Sequence, residues 1–81
     1  MGQQVTQILE RAFSEIKVEL YEMSSGRLAG TVVWKGFEGR EQGERQQEVR
    51  AALKDALGPD FQQVGVLLTY TPHEMASMRA S

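Results

Sequence analysis

Apolar residues in the first stretch of the chain recur at helical spacing. Val5, Ile8, Leu9, Ala12, Phe13 and Ile16 fall at i, i+3, i+4, i+7, i+8 and i+11, while Gln4, Gln7, Glu10, Arg11 and Glu15 take the opposite side. The pattern predicts an amphipathic helix from about Gln3 to Phe13 or Ser14. The period then drops to two. Ile16, Val18 and Leu20 alternate with Lys17, Glu19 and Tyr21, as in a half-buried strand. A second strand runs from about Leu28 to Trp34. The Ser24-Ser25-Gly26 turn before it is short enough to allow only an antiparallel hairpin.

A loop with Gly36, Gly39 and Gly43 follows, and then Val49, Ala52, Leu53, Ala56 and Leu57 mark a second helix. Glu41 and Arg45 stand four apart in the order that favours a surface ion pair. Gly58-Pro59 ends the helix, because glycine supplies a left-handed cap and proline cannot continue the turn. A third strand spans Gln63 to Thr71, and a right-handed crossover makes it parallel to a hairpin strand. Thr71-Pro72-His73-Glu74 opens a short last helix. Threonine caps it, Pro72 takes the first helical position, and Glu74 completes a capping box flanked by Tyr70 and Met75.

The order is therefore α-β-β-α-β-α, a single α/β (α+β) domain over residues 1–81 in which two amphipathic helices cover one face of a three-stranded mixed sheet. Two registers are open for the third strand. In one, Leu67 faces the helices with Gly65, Thr69 and Thr71, and Val64, Val66, Leu68 and Tyr70 lie on the uncovered face with Tyr21, Met23 and Val33. In the other, Val66 and Leu68 enter the core. The first register would expose a contiguous apolar face, which marks a contact surface.

Composition narrows the function. Eighty-one residues support one modest core. A net charge of −2 argues against strong sequence-independent binding to nucleic acid. With no cysteine in the chain, disulfides, thiolate catalysis and cysteine-held clusters within it are excluded, and a reducing compartment, the cytoplasm, is expected. No apolar run approaches a membrane span, and the first residues do not read as a signal peptide. His73 is the single histidine, at a helix start where the dipole disfavours the imidazolium. No placed carboxylate pair and no hydroxyl–histidine pair is recognisable, so neither an enzyme nor a metal or cofactor site is expected.

Phe37-x-Gly39 followed by Arg45, the helix ending in Leu53-Lys54-Asp55-Ala56-Leu57, and Thr69-Tyr70-Thr71 followed by Pro72 and Glu74 together resemble the BolA family across nearly the whole chain. That resemblance implies a type II KH-like fold, pairing with a monothiol glutaredoxin, and an iron–sulfur cluster held on this side by histidines. It also implies a role for some members in binding DNA as transcriptional regulators. The chain departs from the family at the ligand positions. The hairpin turn is shortened to Ser24-Ser25-Gly26, Gln46 follows Arg45, and Leu68 stands in the third strand where the family carries histidine. An alkyl group cannot ligate iron, and a neutral amide is a poor ligand for it.

The resemblance and these departures imply a non-catalytic accessory or regulatory protein that binds another protein without the cluster. Phe37, Gly39, Arg40, Arg45, Leu68 and Tyr70 are the candidate contact residues, and self-association is left open. The alternative is a KH-like nucleic-acid-binding regulator using the Gly36–Gly43 loop with Arg40, Arg45 and Arg50, since Gly36-Phe37-Glu38-Gly39 is formally a GxxG. The plainer reading makes these turn glycines, the arginines a solvated face, Phe37 a lid on the core beneath the second helix, and Trp34 a residue packed at the sheet edge.

Overall fold

The computed structural model describes residues 2–80. Helix α1 (Gly2–Ala12) leads into the hairpin of β1 (Lys17–Glu22) and β2 (Leu28–Val33). A short 3₁₀ turn (Lys35–Phe37) precedes helix α2 (Gln42–Leu57), and a second (Gly58–Gln63) precedes β3 (Val64–Tyr70) and α3 (Pro72–Ala80). The sheet order is β1-β2-β3, with β1 antiparallel and β3 parallel to the central β2. The expected element order and sheet topology are therefore present.

The core lies between one sheet face and the two long helices. Val5, Leu9, Phe13 and Ile16 from the first stretch meet Val49 and Leu53 of α2 over Leu28, Val32, Val64 and Leu67. Along α2 the inward line is Arg45, Val49 and Leu53. Ala56, and likewise Ala12 of α1, is exposed although the apolar spacing includes it. In α2 the buried line runs at i, i+4, i+8 from the charged Arg45, and Ala56, three residues past Leu53, falls beside that line.

The third strand resolves the choice of register. Leu67, Thr69 and Thr71 are buried, while Val66 and Leu68 are 61% and 46% exposed. Val64 departs from its expected place with Val66 and faces the core. Leu28 pairs with Val64 and Gly30 with Leu67, so β3 carries one extra residue between those two pairs. Such a bulge resets the in–out alternation, turning Val64 and Leu67 to the same side. Gly65 makes it sterically feasible, because a Cβ there would lie 2.7 Å from the Leu28 carbonyl oxygen.

Trp34 also differs from its expected place at a sheet edge. It continues the central strand, its N–H donating to the Tyr70 carbonyl at 3.0 Å. Its ring packs edge-on against Phe13 and Phe37, with centroids 4.9 and 5.2 Å away, and its indole N–H donates to the Ser14 carbonyl at 2.8 Å. This aromatic group joins the end of α1 to the loop that follows β2.

Candidate functional site

Three regions bear on function: the glycine loop with Arg45, the open edge and outer face of the sheet, and the space between α3 and that face. In the loop, Phe37 is fully buried. Its ring lies under the Arg45 guanidinium, 5.8 Å from centroid to Cζ, a cation–π arrangement. Gly39 adopts φ +79, a backbone shape that a side chain would strain. Gly43 is not part of the loop, because α2 begins at Gln42 with Glu41 as its N-cap.

Arg45 is only 5% exposed and is engaged at both ends of its guanidinium. Its Nη1 and Nη2 donate to the two carboxylate oxygens of Glu74 at 2.7 and 3.2 Å, and its Nε donates to the Arg40 carbonyl at 2.9 Å. The expected Glu41–Arg45 pair is replaced by this one. Glu41 precedes the helix, and the arginine turns inward across to α3. Glu74 also accepts the Thr71 backbone N–H at 2.9 Å, while its own N–H donates to the Thr71 hydroxyl at 3.1 Å, so the expected capping box forms. One guanidinium thus ties the loop, α2 and α3 together.

These contacts hold the Glu74 carboxyl down, from an ordinary 4.5 to about 2. The Arg45 hydrogen bonds are the largest cause, followed by the Thr71 backbone N–H. A depressed carboxyl stabilises the fold fully above its unfolded value and loses that contribution as pH falls through its folded one. The difference in melting temperature between the wild type and Glu74→Gln is therefore expected to shrink as pH drops from about 4.5 towards about 2. Thermal melts of both proteins across that range check it, and a difference that stays constant refutes it.

As direct surface contacts, Phe37 and Arg45 are therefore displaced from the candidate set, since both are inward and committed. Arg40 pairs with Glu48, and Arg50 stacks over Phe61 at 5.1 Å. Glu38 adds a negative charge to the exposed part of the loop. Leu68 lies on the outer sheet face, and Tyr70 shares that face half-buried, opposite Val33.

Among the described residues, that outer face holds most of the exposed large apolar side chains. Tyr21 is 64% and Met23 37% exposed beside Val66 and Leu68. Towards α3 the face passes into a groove of about 1020 Å³, lined by Val33, Trp34, Pro72 and Met75 and also by charged side chains, Lys17 and Glu19 among them. The groove is not apparent from periodicity, because it depends on how α3 leans across the end of the sheet.

Two side chains that sequence reasoning overlooked occupy carbonyls on the outer edge of β3. The Tyr70 carbonyl faces β2, so those of Leu67 and Thr69 point away from the sheet. Gln46 donates to the Leu67 carbonyl at 2.6 Å and Gln42 to the Thr69 carbonyl at 3.1 Å, while the Thr69 hydroxyl donates to Gln42 Oε1 at 2.6 Å. The i, i+4 spacing of two amides on α2 is the signal that could have revealed this.

The positions that the family resemblance assigns to cluster ligands do not fit a cluster. Gln46 is committed to a backbone carbonyl, and Leu68 presents only carbon. Among the described residues, no group of three or more His, Cys, Asp and Glu could hold a metal ion.

No family model matches the sequence, and no curated protein matches it. Solved structures do match. A BolA protein homologue from Coxiella burnetii aligns over 94% of this chain and 96% of its own, with a TM-score of 0.73 and 27% identity. The BolA domain of SufE1 from Arabidopsis thaliana gives a TM-score of 0.74 at 20% identity, covering 90% of this chain and 93% of that one. BolA1 from the same plant gives 0.71 at 20% identity, with the same coverage. The arrangement of three helices on a three-stranded mixed sheet is thus the BolA-like fold.

Proposed function

We propose that this chain is a non-catalytic accessory protein whose outer sheet face docks a protein partner. One observation carries the reading: Tyr21, Met23, Val66 and Leu68 stand exposed together on the sheet face that no long helix covers. Water-exposed apolar area of that kind is costly to maintain and is recovered when a partner covers it. The groove beside α3 extends the same surface. Arg45, Phe37 and Gly39 serve by holding the loop and α3 in place. A monothiol glutaredoxin is the partner that the fold suggests first, bound here without cluster ligation from this chain. The BolA domain of SufE1 is an instance of the fold within a named protein. The cytoplasm is the proposed compartment on the absence of cysteine, and no helix among the described residues is long and apolar enough to cross a membrane.

Nucleic-acid binding through the loop draws less support, since Arg40 and Arg45 are both paired with carboxylates.

The test is affinity capture from the native cell, with parallel mixing against a purified monothiol glutaredoxin. Leu68→Asp is expected to weaken the captured complex about tenfold or more, because a charge in an apolar contact is desolvated without a partner. Its melting temperature should stay near that of the wild type. Undiminished capture by Leu68→Asp sinks the proposal, as does a wild type that captures and binds nothing.

A further inference from the structure

The two edges of the sheet are treated differently. On β3, Gln42 and Gln46 occupy the outward carbonyls. On β1, no side-chain hydrogen bond among the described residues reaches the outer backbone groups. Met23 N–H donates to the Arg27 carbonyl at 2.7 Å, and the register runs without interruption from Lys17 opposite Val33 to Glu22 opposite Leu28. Antiparallel ladders alternate, so Tyr21, Glu19 and Lys17 bond to β2, while Val18, Leu20 and Glu22 direct their N–H and C=O groups outward. The strand has no proline or bulge to blunt this edge; its protection against unspecific pairing is the charge of Lys17, Glu19 and Glu22, which admits only a partner of matching charge pattern.

We infer that the free edge of β1 pairs antiparallel with β1 of a second copy, about a two-fold axis through Val18. Charge selects both the occupant and the register. With Val18 opposite Val18, Lys17 of each copy lies opposite Glu19 of the other on the outer face, where both side chains are exposed. These are non-hydrogen-bonded pairs, the class in which facing side chains come closest, and opposite charges there attract. On the core face the same register brings the half-buried Val18 residues opposite each other and Leu20 opposite Ile16 of the second copy. The Ile16 side chain is buried in its own core and its N–H donates to the Phe13 carbonyl at 3.3 Å, so the new ladder ends at the Ile16 carbonyl. The Val18 N–H groups donate reciprocally to the Val18 carbonyls. Shifting the axis to Glu19 sets Glu19 against Glu19. Shifting it to Leu20 sets Val18 against Glu22 on the core face. Only the Val18 register is complementary on both faces. The pairing engages Lys17 and Glu19, which also line the groove beside α3, but leaves the exposed Tyr21, Met23, Val66 and Leu68 untouched, so Leu68→Asp distinguishes it from the partner surface proposed above.

Sedimentation equilibrium with charge variants tests it. The wild type is expected to self-associate. Lys17→Glu or Glu19→Lys alone each sets like charges in both symmetric pairs and should raise the dimer dissociation constant roughly tenfold or more. A mixture of those two variants should associate again as a heterodimer, because every cross-strand pair in it is opposite in sign. The Lys17→Glu/Glu19→Lys double variant should recover self-association by itself. Val18→Pro, which removes an outward N–H while leaving the ladder to β2, should abolish pairing in a folded protein. A folded wild type that stays monomeric up to millimolar concentration overturns the inference. So does a dimer indifferent to the charge variants, or one broken by Leu68→Asp instead.

Discussion

Phe37→Ala is expected to remove a large part of the fold's stability. The side chain is fully buried, with ring centroids 5.2 Å from Trp34 and 6.3 Å from Phe13, and the Arg45 guanidinium lies over its face. Truncating a buried phenylalanine costs about 3–5 kcal/mol, from lost transfer energy and the cavity left behind. A domain of this length holds only ~4–12 kcal/mol in total. The melting temperature should therefore fall by roughly 15–30 °C, and Phe37→Leu, which keeps most of the volume, should cost about 1 kcal/mol. Circular dichroism melts of the three proteins read this directly. A Phe37→Ala protein that melts with the wild type would mean the ring does not carry the loop. The consequence for function is practical, since loss of partner binding in Phe37→Ala reports unfolding rather than a lost contact.

The second large effect separates two neighbours. Leu67 is 4% exposed and Leu68 46%. Leu67→Asp places a carboxylate in the core cluster with Val32, Val49 and Leu53, where the inward charge of α2, Arg45, is already committed to Glu74. The loss of apolar burial and the desolvation of the charge should together exceed about 4 kcal/mol, enough to leave much of the chain unfolded at room temperature. Leu68→Asp points the same group into water and should shift stability by only about 0.5 kcal/mol. Far-ultraviolet circular dichroism and a urea titration of the pair decide it. Equal damage from both substitutions would contradict the assignment of faces on β3.

The element order and the sheet topology were legible in the chain because they rest on periodicity and on turn chemistry. The switch from a helical period to alternation at Ile16, the Ser24-Ser25-Gly26 turn and the Thr71–Glu74 box are each local signals. The choice of face on β3 was not legible. Val64, Val66, Leu68 and Tyr70 alternate perfectly on paper, and only pairing with β2 reveals the extra residue beside Gly65. Gly65 inside a strand was the available hint.

Arg45 was misread for a related reason. Four-residue spacing favours a bond to Glu41, but burial and a bidentate geometry across the fold favour Glu74. Long-range partners of that kind leave no periodic trace. The candidate site divides along the same line: the apolar outer face could be drawn as one of two registers, whereas the α3 groove and the Gln42–Gln46 clamp depend on how elements cross in space.

The glutamine clamp has a consequence for assembly size. A sheet with two bare edges can add copies at both ends, and repeated addition is the route to a fibre. Here two outward carbonyls of one end are occupied by side chains from the chain's own helix. In the proposed pair, growth through β1 would stop after a single step, because each outer border would be a β3 edge whose Leu67 and Thr69 carbonyls are already occupied. Replacing Gln42 and Gln46 would do more than loosen a helix: it would free two outward carbonyls on the second edge, the kind of group through which sheets add further strands.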